Sequence, residues 1–173
     1  RGKERREKLL PLFKAAYPKR PIIDLLKIDY LFRERTRQYI EARSQLGSPT
    51  WSYLFDMDQK IFGRQTPWHC CDIPFAFHNV DLVEYPNGNR APAKQLEKQI
   101  FASVIAFARN ANPNHAGLVE WPKSVKGKEY TMCFSENTQV KVNFDHQLMK
   151  EVIVLLAPLM QEKGALPKGD IQH

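Results

Sequence analysis

Long hydrophobic runs, disulfide-forming cysteine and internal repetition are all scarce in this sequence. No stretch approaches the roughly 18 consecutive apolar residues that a membrane helix needs, and the longest runs, such as Val152–Ala157, suit short helices or strands. Three cysteines, Cys70, Cys71 and Cys133, are too few for a disulfide scaffold. Two of them are adjacent, and neighbouring side chains in an extended segment point apart, which excludes an unstrained bridge between them. Reduced thiols in a cytoplasmic compartment are therefore expected. Trp68-His69-Cys70-Cys71 places three potential ligands in a row, but the convergent spacings of tetrahedral zinc sites do not occur. Neither a metal nor another cofactor is expected. A secretory leader is not visible, yet the chain opens Arg1-Gly2 without methionine, so that absence excludes nothing.

What is present is ordinary for a globular protein. Across 173 residues, 43% are apolar and 26% charged, with eight glycines and twelve prolines, which excludes a mainly disordered or collagen-like chain. The length suits one domain with a real core. The net charge of +7 is localised: residues 1–43 hold 13 Lys/Arg against six Asp/Glu, and the remainder is balanced. Because Glu4, Glu7, Asp29, Glu34 and Glu41 interleave with the cations on helically spaced stretches, a solvated helix face is expected rather than a nucleic-acid or membrane-binding surface.

Periodicity gives a set of linked elements. Leu9, Leu12, Phe13 and Ala16 share one face of a helix over Arg5–Ala16, with Pro11 either in its first turns or bending it. Asp24 opens a longer helical region with Leu25, Ile28, Phe32, Thr36, Tyr39 and Ile40 on its apolar side, ending at Gly47. Thr50–Met57 reads as a strand covered on both faces, as in a parallel sheet, although no parallel partner is visible. Residues 58–93 read as a long, aromatic-rich loop, and such loops are commonly functional. Lys94–Arg109 reads as a helix that buries Leu96, Ile100, Val104 and Phe107. Tyr130–Phe134 and Gln139–Phe144 read as a hairpin, and a last helix begins near Asp145.

The chemistry-bearing segment is Thr66-Pro-Trp-His-Cys-Cys-Asp-Ile-Pro-Phe-Ala-Phe-His-Asn79. A histidine just past a parallel strand stands where α/β enzymes place catalytic groups, and imidazole suits acid–base work near neutrality. His69-x-x-Asp72-Ile73-Pro74-Phe75-x-Phe77 resembles the histidine motif of the type-B carboxylesterases, the esterase/cholinesterase family of α/β-hydrolases. Phe107-Ala-Arg-Asn-Ala-Asn-Pro-Asn114 is similar to that family's turn after its penultimate long helix. Trp121-Pro122 followed by Tyr130-Thr-Met-Cys-Phe134 is similar to its late core strand, and the region around Asp24 and Asp29–Arg33 to the helices before the last core strand. The resemblance covers essentially the whole chain.

The resemblance implies an α/β fold: the last core strand, C-terminal hairpin and surrounding helices of an α/β-hydrolase, with an incomplete sheet. Residues 1–173 would be the C-terminal part of a single domain. It implies a serine carboxylesterase in which His69 is the triad base, while Asp72 fixes the loop through an ion pair. Trp68, Phe75 and Phe77 are candidates to line a pocket for an apolar ester substrate, with core packing the plainer reading of each.

The departures are large. No Gly-x-Ser-x-Gly elbow and no His-Gly-Gly oxyanion segment occur, whereas the family's nucleophile and acid precede the histidine in sequence. Cys70 and Cys71 are poorly placed to replace the serine, since side chains next to His69 do not readily meet it in productive geometry. The expectation is a C-terminal fragment, inactive alone, whose partner is the missing N-terminal part of the enzyme or a second copy of this chain. The alternative is a non-catalytic binding or structural module on the same architecture.

Overall fold

The computed structural model describes residues 2–26, 28, 30–61, 64–85, 88 and 90–162. These fall into two compact units, one of residues up to Ala42 together with those from Asn143 onward, the other Arg43–Val142.

The first unit is helical. Helix α1 (Gly2–Ala16) pairs with α5 (His146–Glu162) and touches a 3-10 turn (Ile22–Leu26), and the unit also holds most of α2 (Tyr30–Gln45). The spacing of Phe13 and Ala16 does what the sequence promised: both are buried against Leu148, Met149 and Val152, with Leu9, Leu12, Tyr17 and Phe144 around them. Asp145 immediately precedes α5 and is fully buried. Arg33 donates to both of its oxygens, from Nε to Oδ2 at 2.8 Å and from Nη2 to Oδ1 at 2.7 Å, and the Tyr17 hydroxyl donates at 3.1 Å. A buried carboxylate is tolerated only when satisfied in this way.

Two expectations for this region are corrected. The helix does not run on from Asp24; a separate 3-10 turn precedes α2, which starts at Tyr30. The apolar stripe on α2 is buried only in part: Ile40 lies inside as expected, but Phe32 and Tyr39 are 65% and 61% exposed and Glu34 is buried. The burial of Glu34 has an ionic cause. Arg37 donates to both of its oxygens at 2.9 and 2.8 Å, and Gln38 adds a third bond at 2.9 Å, so its charge is neutralised where it turns inward.

The second unit holds the sheet. Its order is β1 (Ser52–Phe55), β4 (Tyr130–Phe134), β5 (Gln139–Val142), with β1 and β4 parallel and β4 and β5 antiparallel. Strand β1 thus has a parallel partner within the chain, contrary to expectation, with Ser52 opposite Thr131 and Phe55 opposite Phe134. The central β4 is buried along nearly its whole length, as a continuous apolar run on a doubly covered strand requires. Helix α4 (Ala91–Asn110) buries Ala93, Leu96, Glu97 and Ile100. Its last turns differ from the expected face, with Val104 and Phe107 45% and 50% exposed, although the Phe107 ring still meets Trp51 edge-on at 6.0 Å.

Helix α4 stops at Ala111, which takes a left-handed conformation (φ 52°) and returns its N–H to the Phe107 carbonyl. The following Asn114 then clamps Trp121. Its side chain accepts the Trp121 N–H at 2.7 Å and donates to the Trp121 carbonyl at 2.8 Å. That clamp sets the Trp121 ring edge-on to Phe134 in the core.

The segment read as one long loop is more ordered than expected. It contains a small antiparallel hairpin of β2 (Gln59–Ile61) and β3 (Arg64–Thr66), a one-turn helix α3 (Ile73–Ala76) and a 3-10 turn (Val80–Leu82). These elements carry the candidate site.

Candidate active site

His69 lies in the turn that joins β3 to α3, with its side chain exposed. Local backbone bonds shape this turn: the Cys71 N–H donates to the Trp68 carbonyl at 3.1 Å and the Ile73 N–H to the Cys70 carbonyl at 3.2 Å. Cys70 takes φ 67°, a left-handed conformation uncommon for a side-chain-bearing residue. Such strain persists only where the surroundings over-determine it, and two side chains do so here.

The first is Gln59, fully buried, which donates from Nε2 to the Cys71 carbonyl at 2.7 Å. The second is Tyr53 on β1, whose hydroxyl donates to Asp72 Oδ2 at 2.7 Å. The partner of Asp72 is thus a phenol rather than the cation of the expected ion pair. Tyr53 is half exposed, but desolvation of its hydroxyl, reinforced by the Asp72 carboxylate, raises its pKa above the ordinary phenol value. Neither Tyr53 nor Gln59 was singled out from the sequence. Alternation along the strand gives Tyr53 a face but no partner, and an isolated Gln carries no pattern.

The neighbouring groups divide between core and surface. Phe75 is fully buried, 4.8 Å from the Phe55 ring at the end of β1 and 6.3 Å from Tyr85. Trp68 and Phe77 are 41% and 69% exposed. Of the cysteines, Cys70 is exposed, while Cys71 and Cys133 are buried and none is in a disulfide. Burial pushes the Cys71 thiol up to about 11, with the charge of Asp72 adding to the effect and the Trp68 N–H opposing it. That is the opposite of what a thiolate nucleophile needs. Among the described residues no group of three or more His, Cys, Asp or Glu converges as a metal site would. The turn follows β1 and the β2–β3 hairpin in sequence and is tied back to β1 by the Tyr53–Asp72 bond and the Phe55–Phe75 ring contact.

Residues 17–152 match the model of the carboxylesterase family. Among curated proteins, the para-nitrobenzyl esterase of Bacillus subtilis is 32% identical over 96 residues, which cover 54% of this chain and 19% of that protein. The cAMP-regulated D2 protein of Dictyostelium discoideum is 28% identical over 150 residues, or 79% of this chain and 27% of that protein. Among solved structures, an esterase from Clostridium hathewayi superimposes with a TM-score of 0.76 at 38% identity, covering 84% of this chain and 29% of that one. A carboxylesterase of Geobacillus stearothermophilus gives 0.66 at 24% identity, a likeness of fold. The chain thus spans less than a third of the length of these relatives. Its parallel β1–β4 pair, the antiparallel β5 and the flanking helices form a small, incomplete α/β sheet arrangement that these esterases share. With four-fifths of its length matched in order, the chain belongs to the carboxylesterase family.

Proposed function

We propose that this chain is the C-terminal portion of a serine carboxylesterase and supplies its general base, His69. In that reaction His69 takes the proton of a serine hydroxyl as the serine attacks the ester carbonyl. It then returns that proton to the departing alcohol, and water repeats the cycle on the acyl-enzyme. The serine, the acid that orients the imidazole and the oxyanion donors come from polypeptide outside these 173 residues, so the isolated chain has no hydrolase activity. The carrying observation is an exposed imidazole on a turn pinned by Tyr53 and Gln59 and tied back to a parallel strand. Asp72 holds the loop and stands outside the triad. Exposed Trp68 and Phe77 beside the turn favour an apolar or aromatic ester, and the 38% identical Clostridium esterase hydrolyses aliphatic aromatic polyesters.

The test is a hybrid enzyme in which residues 1–173 replace the matching segment of the Clostridium esterase. Hydrolysis of a p-nitrophenyl ester and labelling by a fluorophosphonate are expected in the hybrid and not in the chain alone. His69→Ala in the hybrid is expected to lower kcat at least about 10³-fold. A folded hybrid whose turnover is indifferent to His69→Ala overturns the assignment and leaves the non-catalytic reading.

A further inference from the structure

Glu97 is a buried carboxylate that the proposed reaction does not use. It projects from α4 and is 1% exposed. Its Oε1 accepts the Val80 N–H at 3.0 Å. Its Oε2 faces two cations or potential cations, Lys94 Nζ and His78 Nδ1, each at 3.6 Å. Lys94 also donates to Asp81, and Arg90 approaches Asp81 at 4.0 Å. Residues 78–81 are thus latched to the first turns of α4 by a charge cluster organised around one buried acid.

This latch acts on the His69 turn because the backbone between them is continuous in its hydrogen bonding. From Cys71→Trp68 the N–H to carbonyl bonds proceed through Ile73→Cys70, Phe75→Asp72, Phe77→Ile73 and Asn79→Pro74 to Val83→Val80, all between 2.7 and 3.2 Å. Residues 68–83 therefore form one hydrogen-bonded run of turns, anchored in the middle by the buried Phe75 ring. One end is pinned by Tyr53 and Gln59, and the other by Glu97. At that second end the chain bends through His78, whose φ of 61° is left-handed and whose ring lies 5.0 Å from Phe101. The Glu97 contacts help to hold His78 in that disfavoured conformation.

We propose that Glu97 is a positioning residue for His69, setting the orientation of the turn from the far end of this hydrogen-bonded segment. This rests on the reading of His69 as the base, but its structural half does not. In the 173-residue chain, hydrogen exchange at the Cys71 and Ile73 amides is expected to quicken at least about tenfold in Glu97→Ala, while protection in β4 is unchanged. Glu97→Gln, which keeps an acceptor for Val80 and loses the charge, should fall between. In the hybrid enzyme Glu97→Ala should lower kcat about tenfold with KM within about twofold, the pattern of a base displaced from its productive position. Faster exchange confined to Val80, with the turn amides at their original rates, overturns the proposal. If Glu97→Ala also loses β4 protection, Glu97→Gln is decisive on the same amides. A hybrid that is active but indifferent to His69→Ala removes the catalytic half alone and leaves the exchange result to stand or fall separately.

Discussion

At the scale of single residues, the site shows which chemistry a sequence displays and which it conceals. The string around His69 is legible in the sequence because its residues are contiguous. Tyr53 and Gln59 lie 19 and 12 positions upstream of the residues they bond and touch the turn only after folding. Asp72 accepts from a phenol rather than from the expected cation, since spacing alone does not distinguish the two. Replacing Tyr53 by Phe removes that one bond with little change of shape. A loss of about 0.5–1.5 kcal/mol in urea denaturation is expected, together with faster exchange of the turn amides; unaltered exchange would show that Gln59 suffices. Thiol reactivity separates the adjacent cysteines in the same way. At pH 8, peptide mapping after iodoacetamide treatment should find Cys70 modified in the native chain, and Cys71 only after denaturation. A Cys71 thiol raised to about 11 by burial supplies little thiolate at that pH. Equal labelling of the two would contradict its burial.

At the scale of elements, the sequence revealed periods more reliably than faces. The α1 and α5 stripes bury as their spacing requires, whereas α2 presents Phe32 and Tyr39 outward. Hydrophobic periodicity weighs apolar residues only, so it does not register a polar row whose charges cancel. Burial alone would push the Glu34 carboxyl up, but the hydrogen bonds and charge of Arg37, with Gln38 and Arg33, hold it below its ordinary value near 4.5. A depressed folded pKa contributes stability that is fully present above the unfolded value and is lost as pH falls through the lower folded one. Urea midpoints of the native chain should therefore fall as pH drops below about 4.5, and Arg37→Met should flatten that limb; an unchanged slope would place the acid sensitivity elsewhere. The Arg33–Asp145 pair offers a larger effect. Arg33→Met strands a fully buried carboxylate and is expected to cost about 3–5 kcal/mol. Adding Asp145→Leu should recover much of that, because it is the orphaned charge rather than the missing contact that destabilises.

At the scale of the whole molecule, the parallel pairing of β1 with β4 was hidden by distance. Seventy-nine positions separate Ser52 from Thr131, and no local pattern reports a partner that far away. The pairing leaves the two sides of the sheet unlike each other. On one side β5 (Gln-Val-Lys-Val) carries Lys141, a charge of the kind that blunts an edge strand. On the other, β1 (Ser-Tyr-Leu-Phe) has neither charge nor proline, and among the described residues no strand lies on its outer edge. The Asp56 N–H donates to the Phe134 carbonyl. By the alternation of a parallel ladder, the Tyr53 and Phe55 amides then face outward. An uncharged edge of this kind is a template for pairing with another chain. The isolated chain is therefore expected to self-associate at micromolar concentrations, by β1-to-β1 pairing or exchange of strands, and sedimentation velocity would detect it as concentration-dependent growth. In the hybrid enzyme, where preceding polypeptide is available to cover that edge, association should be no greater than for the Clostridium esterase itself. A chain that stays strictly monomeric alone would mean that the edge is already protected.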